Sequence, residues 1–176
     1  MIILGIDPGS RVTGYGIIES RGASDFFYIA SGCIVTEGEE MAPRLHTIYS
    51  GLCEVVEAYE PDEAAIEEVF VHQNVNTALK LGQARGAAIV AVGPVRPLAE
   101  YSTRQVKQSV VGYGAADKPQ IQHMVRTLLH LSDLPEEDSA DALAIALCHA
   151  QIRASGLNGL ATTKPRGLYR RRWRAA

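Results

Sequence analysis

Sulfur and aromatic side chains are scarce in this chain. Among 176 residues there are three cysteines, three phenylalanines and one tryptophan, and aromatics make up 6%. Cys33, Cys53 and Cys148 are odd in number, widely separated and without metal-type pairing. This excludes a disulfide framework and a zinc site, and the thiols read as reduced and mostly buried in a cytosolic protein. Long apolar runs are missing as well. None approaches the roughly 20 residues that cross a bilayer, so no membrane association is expected. The N-terminus shows no basic region before an apolar stretch and no small-residue cleavage site, and is not read as a signal peptide. Acid is absent from the last part of the chain: after Asp141 come Arg153, Lys164, Arg166, Arg170, Arg171, Arg172 and Arg174 with no Asp or Glu among them.

What is present is a 47% hydrophobic composition, enough for one domain with a real core, and a net charge of −3 that is unevenly spread. Between Glu19 and Glu68 there are twelve acids against Arg21 and Arg44, whereas from Lys80 to Arg126 seven bases face only Glu100 and Asp117. An acidic chain with its positive charge gathered into segments is compatible with a polyanionic partner, although solvated faces give the same pattern. Residues 1–155 read as the folded domain, and 156–176 as a basic tail, disordered from Thr162 to Ala176.

The opening stretch organises the rest. Met1-Ile2-Ile3-Leu4-Gly5-Ile6 is too short for a helix and is closed by Asp7-Pro8-Gly9, so it reads as a buried strand that ends on a carboxylate. Val12–Glu19 and Phe26–Thr36 read as two further strands of an antiparallel meander, with Gly32 marking a bulge. Leu45, Ile48, Leu52, Val55, Val56 and Tyr59 recur at helical spacing up to Pro61. Glu63–Glu67 is a short strand, again ending in acid, and Glu68 to Asn74 has no clear period. A helix over Asn76–Val92 carries Gly82, Ala84, Gly86, Ala87 and Ala88, which suit close packing on this subunit's sheet or on a second copy. Val95–Tyr101 reads as the fifth strand and Ser102–Val111 as a short helix. Asp117 caps a helix to Leu131, and Asp133 with Glu136 forms a capping box for a last helix over Leu134–Arg153. The order predicts an α/β protein with a mixed five-stranded sheet flanked by helices.

In such a sheet the first and fourth strands lie parallel, and Asp7 and Glu67 leave it at the same edge. Asp138 and Asp141 share one face of the last helix, near its start, with Ala142, Ile145 and Ala146 turned toward the sheet. The last pair taken alone is also what offsets a helix dipole. Carboxylates brought together raise one another's pKa and call for a neutralising cation. Oxygen-only ligation, with no convergent Cys or His motif, points to Mg²⁺ or Mn²⁺ rather than zinc. Two such ions roughly 3.5–4 Å apart suit in-line phosphoryl displacement.

These motifs carry a resemblance. Gly5-Ile6-Asp7-Pro8-Gly9-Ser10, Ala65-Ile66-Glu67 with Val69-Phe70, Leu79 through Gly86, Arg104-Gln105-Val106-Lys107, and Asp138 through Ala146 match, in order, the motifs of the RuvC family of Holliday-junction resolvases. The resemblance covers about residues 1–153 and implies a ribonuclease H-like fold. It implies a homodimeric endonuclease that cuts two strands symmetrically across a four-way DNA junction, with one metal site per subunit, for which the carboxylate chemistry above predicts two Mg²⁺ (or Mn²⁺) ions. It further implies a RuvA–RuvB branch-migration partner. The family's four acidic ligands map onto Asp7, Glu67, Asp138 and Asp141; Glu68 is adjacent, but Ala65-Ile66-Glu67 aligns better.

Arg104, Lys107 and Lys118 are expected to touch DNA phosphates, against the alternative of isolated surface charges. Phe70 is either a core aromatic or a ring that stacks on an unpaired base, and the family pattern favours stacking. His72, His123, His130 and His149 show no useful ligand spacing and are read as packing or surface residues. Sugar kinases and actin-like ATPases also open with Gly-Ile-Asp-x-Gly, but they need a second phosphate loop and a longer chain. A module that only binds branched DNA would need the basic segments without converging acids. A related nuclease acting on RNA–DNA hybrids differs only in substrate.

Overall fold

The turn after the first strand is held by three side chains from further along the chain. Gly9 is required there, because a Cβ would lie 1.9 Å from the Val12 carbonyl oxygen. Thr13 donates its hydroxyl to the Gly9 carbonyl at 2.8 Å. Thr36 donates to the Ser10 carbonyl at 3.0 Å and accepts from Arg44 Nε at 3.1 Å. Arg44, only 2% exposed, also donates to the Ser10 carbonyl. This arginine, which the sequence offers only as a lone base in an acidic stretch, closes the loop that follows Asp7.

The structure is a computed structural model and describes residues 1–22, 24–68, 75–93, 95 and 97–156. In chain order the elements are β1 (Ile2–Asp7), β2 (Val12–Ser20), β3 (Phe26–Val35), α1 (Met41–Tyr59), β4 (Glu63–Glu67), α2 (Val75–Ala91), β5 (Leu98–Tyr101), α3 (Thr103–Val111), α4 (Lys118–Leu128) and α5 (Glu137–Ala154). The five strands run β3-β2-β1-β4-β5, with β1 antiparallel to β2 and parallel to β4. This is the mixed sheet expected from the order of elements.

Alternation along the strands divides the core. Leu4, Ile6, Ile17, Ala64 and Ile66 face α1 and α2, while Ile3, Ile18, Ala65, Ala99 and Tyr101 face α5 with α3 and α4 behind it. Helix α5 is buried from Ser139 to Ala146 except at Asp141, and onward through Ala150. It sits on glycines, as a Cβ at Gly5 would come 2.1 Å from the Ala142 carbonyl oxygen, and one at Gly14 2.1 Å from that of Asp138. Backbone therefore meets backbone where the helix crosses β1 and β2.

Several boundaries differ from expectation. The sheet irregularity falls between Ile17 and Ile18 rather than at Gly32. No capping box forms at Asp133 and Glu136: Asp133 accepts from Ser132, and α5 starts at Glu137, because Leu134 precedes Pro135 and is driven out of helical geometry. Strand β5 begins at Leu98 rather than Val95, and α4 ends at Leu128 rather than Leu131. Only Cys148 of the three thiols is buried; Cys33 and Cys53 are partly exposed. Ser102 and Gln105 form a capping box at α3 that the sequence reading did not use. The segment expected to be disordered, Thr162–Ala176, lies outside the described residues. Among those described, no helix is long and apolar enough to cross a membrane.

Candidate active site

Parallel pairing of β1 with β4 puts Ile6 opposite Ile66, so Asp7 and Glu67 leave the sheet side by side. Both share the sheet face on which α5 packs, and Asp7, Glu67 and Asp141 line one cleft of about 240 Å³. Thr103, Val106 and Lys107 from α3, Lys118 and Ile121 from α4, and Ile145 from α5 complete its wall. Asp138 stands one turn before Asp141 in the first turn of α5. It is absent from the cleft lining, yet its charge acts on Asp7 and on Asp141.

The cleft is short of positive charge. Burial, followed by the charges of Glu67, Asp141 and Asp138, pushes the Asp7 carboxyl from 3.8 up to about 8, and a hydrogen bond with Glu67 adds to the rise. Burial likewise pushes Asp141 up to about 6, against the pull of Lys118. The Lys118 ammonium is 3.7 Å from Asp141 Oδ2 and hydrogen-bonds Glu137, which is the main reason its pKa is raised. Asp117 sets Lys118 in place by a reciprocal cap with Gln120, both bonds 2.9 Å. Among the described residues, no three carboxylate, imidazole or thiol groups are placed to close on one ion as they stand. The donors are nonetheless all oxygen, crowded and desolvated, a set that fits a hard divalent cation.

Of the expected DNA contacts, Lys107 and Lys118 line the cleft, whereas Arg104 is exposed and outside that lining, with its stem beside Gly114. Phe70 lies outside the described residues. Two contributors escaped the sequence reading. Arg85 of α2 donates from Nε to the Glu67 carbonyl at 3.0 Å and pairs with Glu100, fixing the end of β4. Glu137 holds Lys118 from a distance of nineteen residues along the chain, too far for any local pattern to show it.

A β3-β2-β1-β4-β5 sheet with carboxylates at the ends of its central parallel strands and on the helix across them defines a ribonuclease H-like nuclease. The comparisons narrow the class. The family model of crossover junction endodeoxyribonuclease RuvC matches residues 3–149. A Tolumonas auensis crossover junction endodeoxyribonuclease RuvC is 59% identical over 153 residues, covering 86% of this chain and 88% of that protein. The protein of the same name from Shewanella sp. strain W3-18-1 is 53% identical over 172 residues, covering 96% and 99%. Thermus thermophilus RuvC, solved in complex with a Holliday junction substrate, superposes with a TM-score of 0.82 at 35% identity, covering 89% of this chain and 96% of that one. The chain belongs to the RuvC family of crossover junction endodeoxyribonucleases. It is thus a phosphodiester-hydrolysing nuclease of a divalent-metal-dependent family.

Proposed function

We propose that this chain resolves four-way DNA junctions with Asp7, Glu67, Asp138 and Asp141 as its metal-binding carboxylates. The observation that supports this most is the single cleft into which β1, β4 and α5 deliver Asp7, Glu67 and Asp141 beside Lys107 and Lys118. Those carboxylates would hold a divalent ion, which would supply an activated water and stabilisation of the departing oxygen. The all-oxygen donor set suits Mg²⁺, with Mn²⁺ as a substitute, at two ions per subunit.

The protein's own groups do the remaining work. Asp7, whose carboxyl is pushed up to about 8, would have to give up its proton to hold a cation, so ion binding there would release acid. Lys118 leaves Glu137 and Asp141 to meet a backbone phosphate, and Lys107 flanks the same strand. Arg104 serves a more distant phosphate from the exposed face of α3. Phe70, two residues past the last described residue of that segment, is assigned by the family resemblance to stacking on an unpaired base.

Symmetric cleavage needs two sites, hence a homodimer. Helix α2 supports this: Ala84 and Ala88 are buried toward this subunit's sheet, while Leu79 and Val90 are exposed and Gly82 and Gly86 have open space beside them. The same small-residue helix thus has a face for each of the two packing partners considered from sequence. We assign residues 1–155 to the nuclease domain and 156–176 to a basic tail. The protein is taken to work in the cytoplasm with a RuvA–RuvB complex.

The test is incubation of a synthetic four-way junction and a matched linear duplex with the chain and Mg²⁺, reading strand lengths on a denaturing gel. Paired symmetric cuts in the junction alone are expected. Equal cutting of the duplex, or cleavage that chelation leaves intact, overturns the reading.

A further inference from the structure

Glu63 opens β4 four residues before Glu67 and on the same face of the strand, yet it is only 5% exposed. A carboxylate so placed needs partners, and it has two. Its Oε1 accepts from Arg153 at 2.7 Å, and its Oε2 from His149 Nε2 at 2.8 Å. With the imidazole proton on Nε2, Nδ1 is an acceptor, and the Tyr101 hydroxyl donates to it at 2.8 Å. The chain Tyr101–His149–Glu63–Arg153 is closed, with every buried side-chain polar atom among the described residues satisfied. Desolvation of the ring lowers the His149 pKa and favours its neutral form, and the Glu63 carboxylate facing Nε2 places the proton on that nitrogen.

The placement repeats the carboxylate layer one level deeper. On α5, Asp141, Ile145 and His149 stand at successive intervals of four residues and form one stripe, two turns from end to end. On β4, Glu63 and Glu67 share a face. Tyr101 pairs in register with Glu67, and its carbonyl accepts the Glu68 N–H at 2.8 Å. The hydrogen bonds of the lower level therefore join the three elements that carry, or abut, the acids of the upper one. On the β1–β2 side, α5 is seated by glycines. On the β4–β5 side its apolar neighbours on the sheet include the small Ala65 and Ala99, and there the polar bonds of His149 to Tyr101 and Glu63 hold the helix in place.

We propose that Tyr101 and His149 are positioning residues for the carboxylate cluster: their hydrogen bond, anchored on Glu63 and Arg153, fixes the rotation of α5 and so the distance at which Asp141 faces Glu67. The inference rests on Asp7, Glu67, Asp138 and Asp141 being the metal ligands. Loss of the tie lets α5 turn, and the cost falls on metal affinity rather than on DNA binding.

The test uses the full chain and Mn²⁺ alone, followed by the electron paramagnetic resonance signal of the free ion. Tyr101→Phe removes only the hydroxyl, and His149→Gln keeps a donor for Glu63 while dropping the bond to Tyr101. Each is expected to weaken Mn²⁺ binding by about tenfold, the low end of what outer partners of metal ligands are worth. The double variant should be no weaker than either single one. Junction binding without metal should be unchanged, and cleavage lost at low metal should return when metal is raised. Wild-type Mn²⁺ affinity in Tyr101→Phe overturns the proposal, as does a cleavage defect that excess metal leaves in place and that follows melting temperature. If His149→Gln does not fold, Tyr101→Phe decides alone, and failure of both to fold makes the pair a purely structural element. Asp141→Asn is titrated alongside: retained Mn²⁺ binding there refutes the ligand assignment instead.

Discussion

Asp7 and Glu67 share a hydrogen bond at the ends of neighbouring strands, and burial has already raised the Asp7 carboxyl to about 8. In the metal-free chain Asp7 therefore keeps its proton at neutral pH. An acid whose folded pKa lies above its unfolded value adds stability that is full below about 4 and is lost as pH rises toward about 8. His149, held neutral by burial, acts oppositely: the native state resists its protonation, so its contribution falls as pH drops below 6.5. Comparison with Asp7→Asn separates the two. In chelated buffer the wild type should lose melting temperature relative to Asp7→Asn between about pH 5 and pH 8, and Mg²⁺ at the upper pH should raise the wild type only. A pH-independent difference would mean that Asp7 titrates normally. For function, Asp7→Asn, Glu67→Gln, Asp138→Asn and Asp141→Asn should each abolish junction cleavage and leave junction binding near normal, with Glu68→Gln as a mild control. Gel assays of cutting and of mobility shift measure the two separately, and near-normal cutting removes that residue from the site.

At the scale of elements, the site depends on how closely α5 lies on the sheet. Gly5 and Gly14 let the helix backbone touch β1 and β2, and a methyl group at Gly14 would meet the Asp138 carbonyl oxygen at 2.1 Å. That contact leaves no room for a side chain, so Gly14→Ala must push away the first turn of α5. The expected cost is about 1–3 kcal/mol of stability, the usual range for overpacking a core. Cleavage should fall by more than the loss of folded protein, since the displaced turn carries Asp138 and precedes Asp141. Chemical denaturation with cleavage rates at a temperature where both proteins are folded checks this; full specific activity in the folded variant would show that the first turn tolerates displacement. The elements themselves were largely readable: β1 is a short apolar run closed by the Asp-Pro-Gly turn, α1 keeps its apolar residues at helical spacing, and Asp117 caps α4. The start of α5 was not, because Pro135 overrode a cap signal that Asp133 and Glu136 carried by spacing alone.

For the whole molecule, the uneven charge seen in the chain is resolved in space. The basic stretch from Lys80 to Arg126 does not form one patch: Arg85 turns inward to Glu67 and Glu100, Arg104 stays outside, and Lys107 and Lys118 enter the acidic cleft. Lys107→Ala and Lys118→Ala should each weaken junction affinity and flatten the logarithmic salt dependence by about 0.9 per lost phosphate contact. Lys118→Ala should also raise the Asp141 pKa, since the ammonium pulls it down in the native protein. Electrophoretic binding assays across a salt series read the slope, and an unchanged slope with unchanged affinity takes that lysine off the DNA.

The amino-acid sequence by itself determined the mixed five-stranded sheet, the family and the candidate acids, because these rest on the order of local elements and on short motifs whose residues are neighbours in the chain. It placed Asp7 at a strand end through the Asp-Pro-Gly turn, and Asp138 with Asp141 on one helix face through a three-residue spacing. Only the tertiary structure decided that Asp141, and not Asp138, joins Asp7 and Glu67 in the lining of the cleft, that Glu137 restrains Lys118, and that Arg44 and Arg85 brace the ends of β1 and β4. His149 passed for a packing residue and Glu63 for the plain start of a strand, although they are hydrogen-bonded at 2.8 Å across 86 residues of chain. Polar pairings of that kind have no period and no motif. They exist because a folded core excludes water and each buried donor and acceptor must then find its partner wherever the sheet and helices bring one within reach.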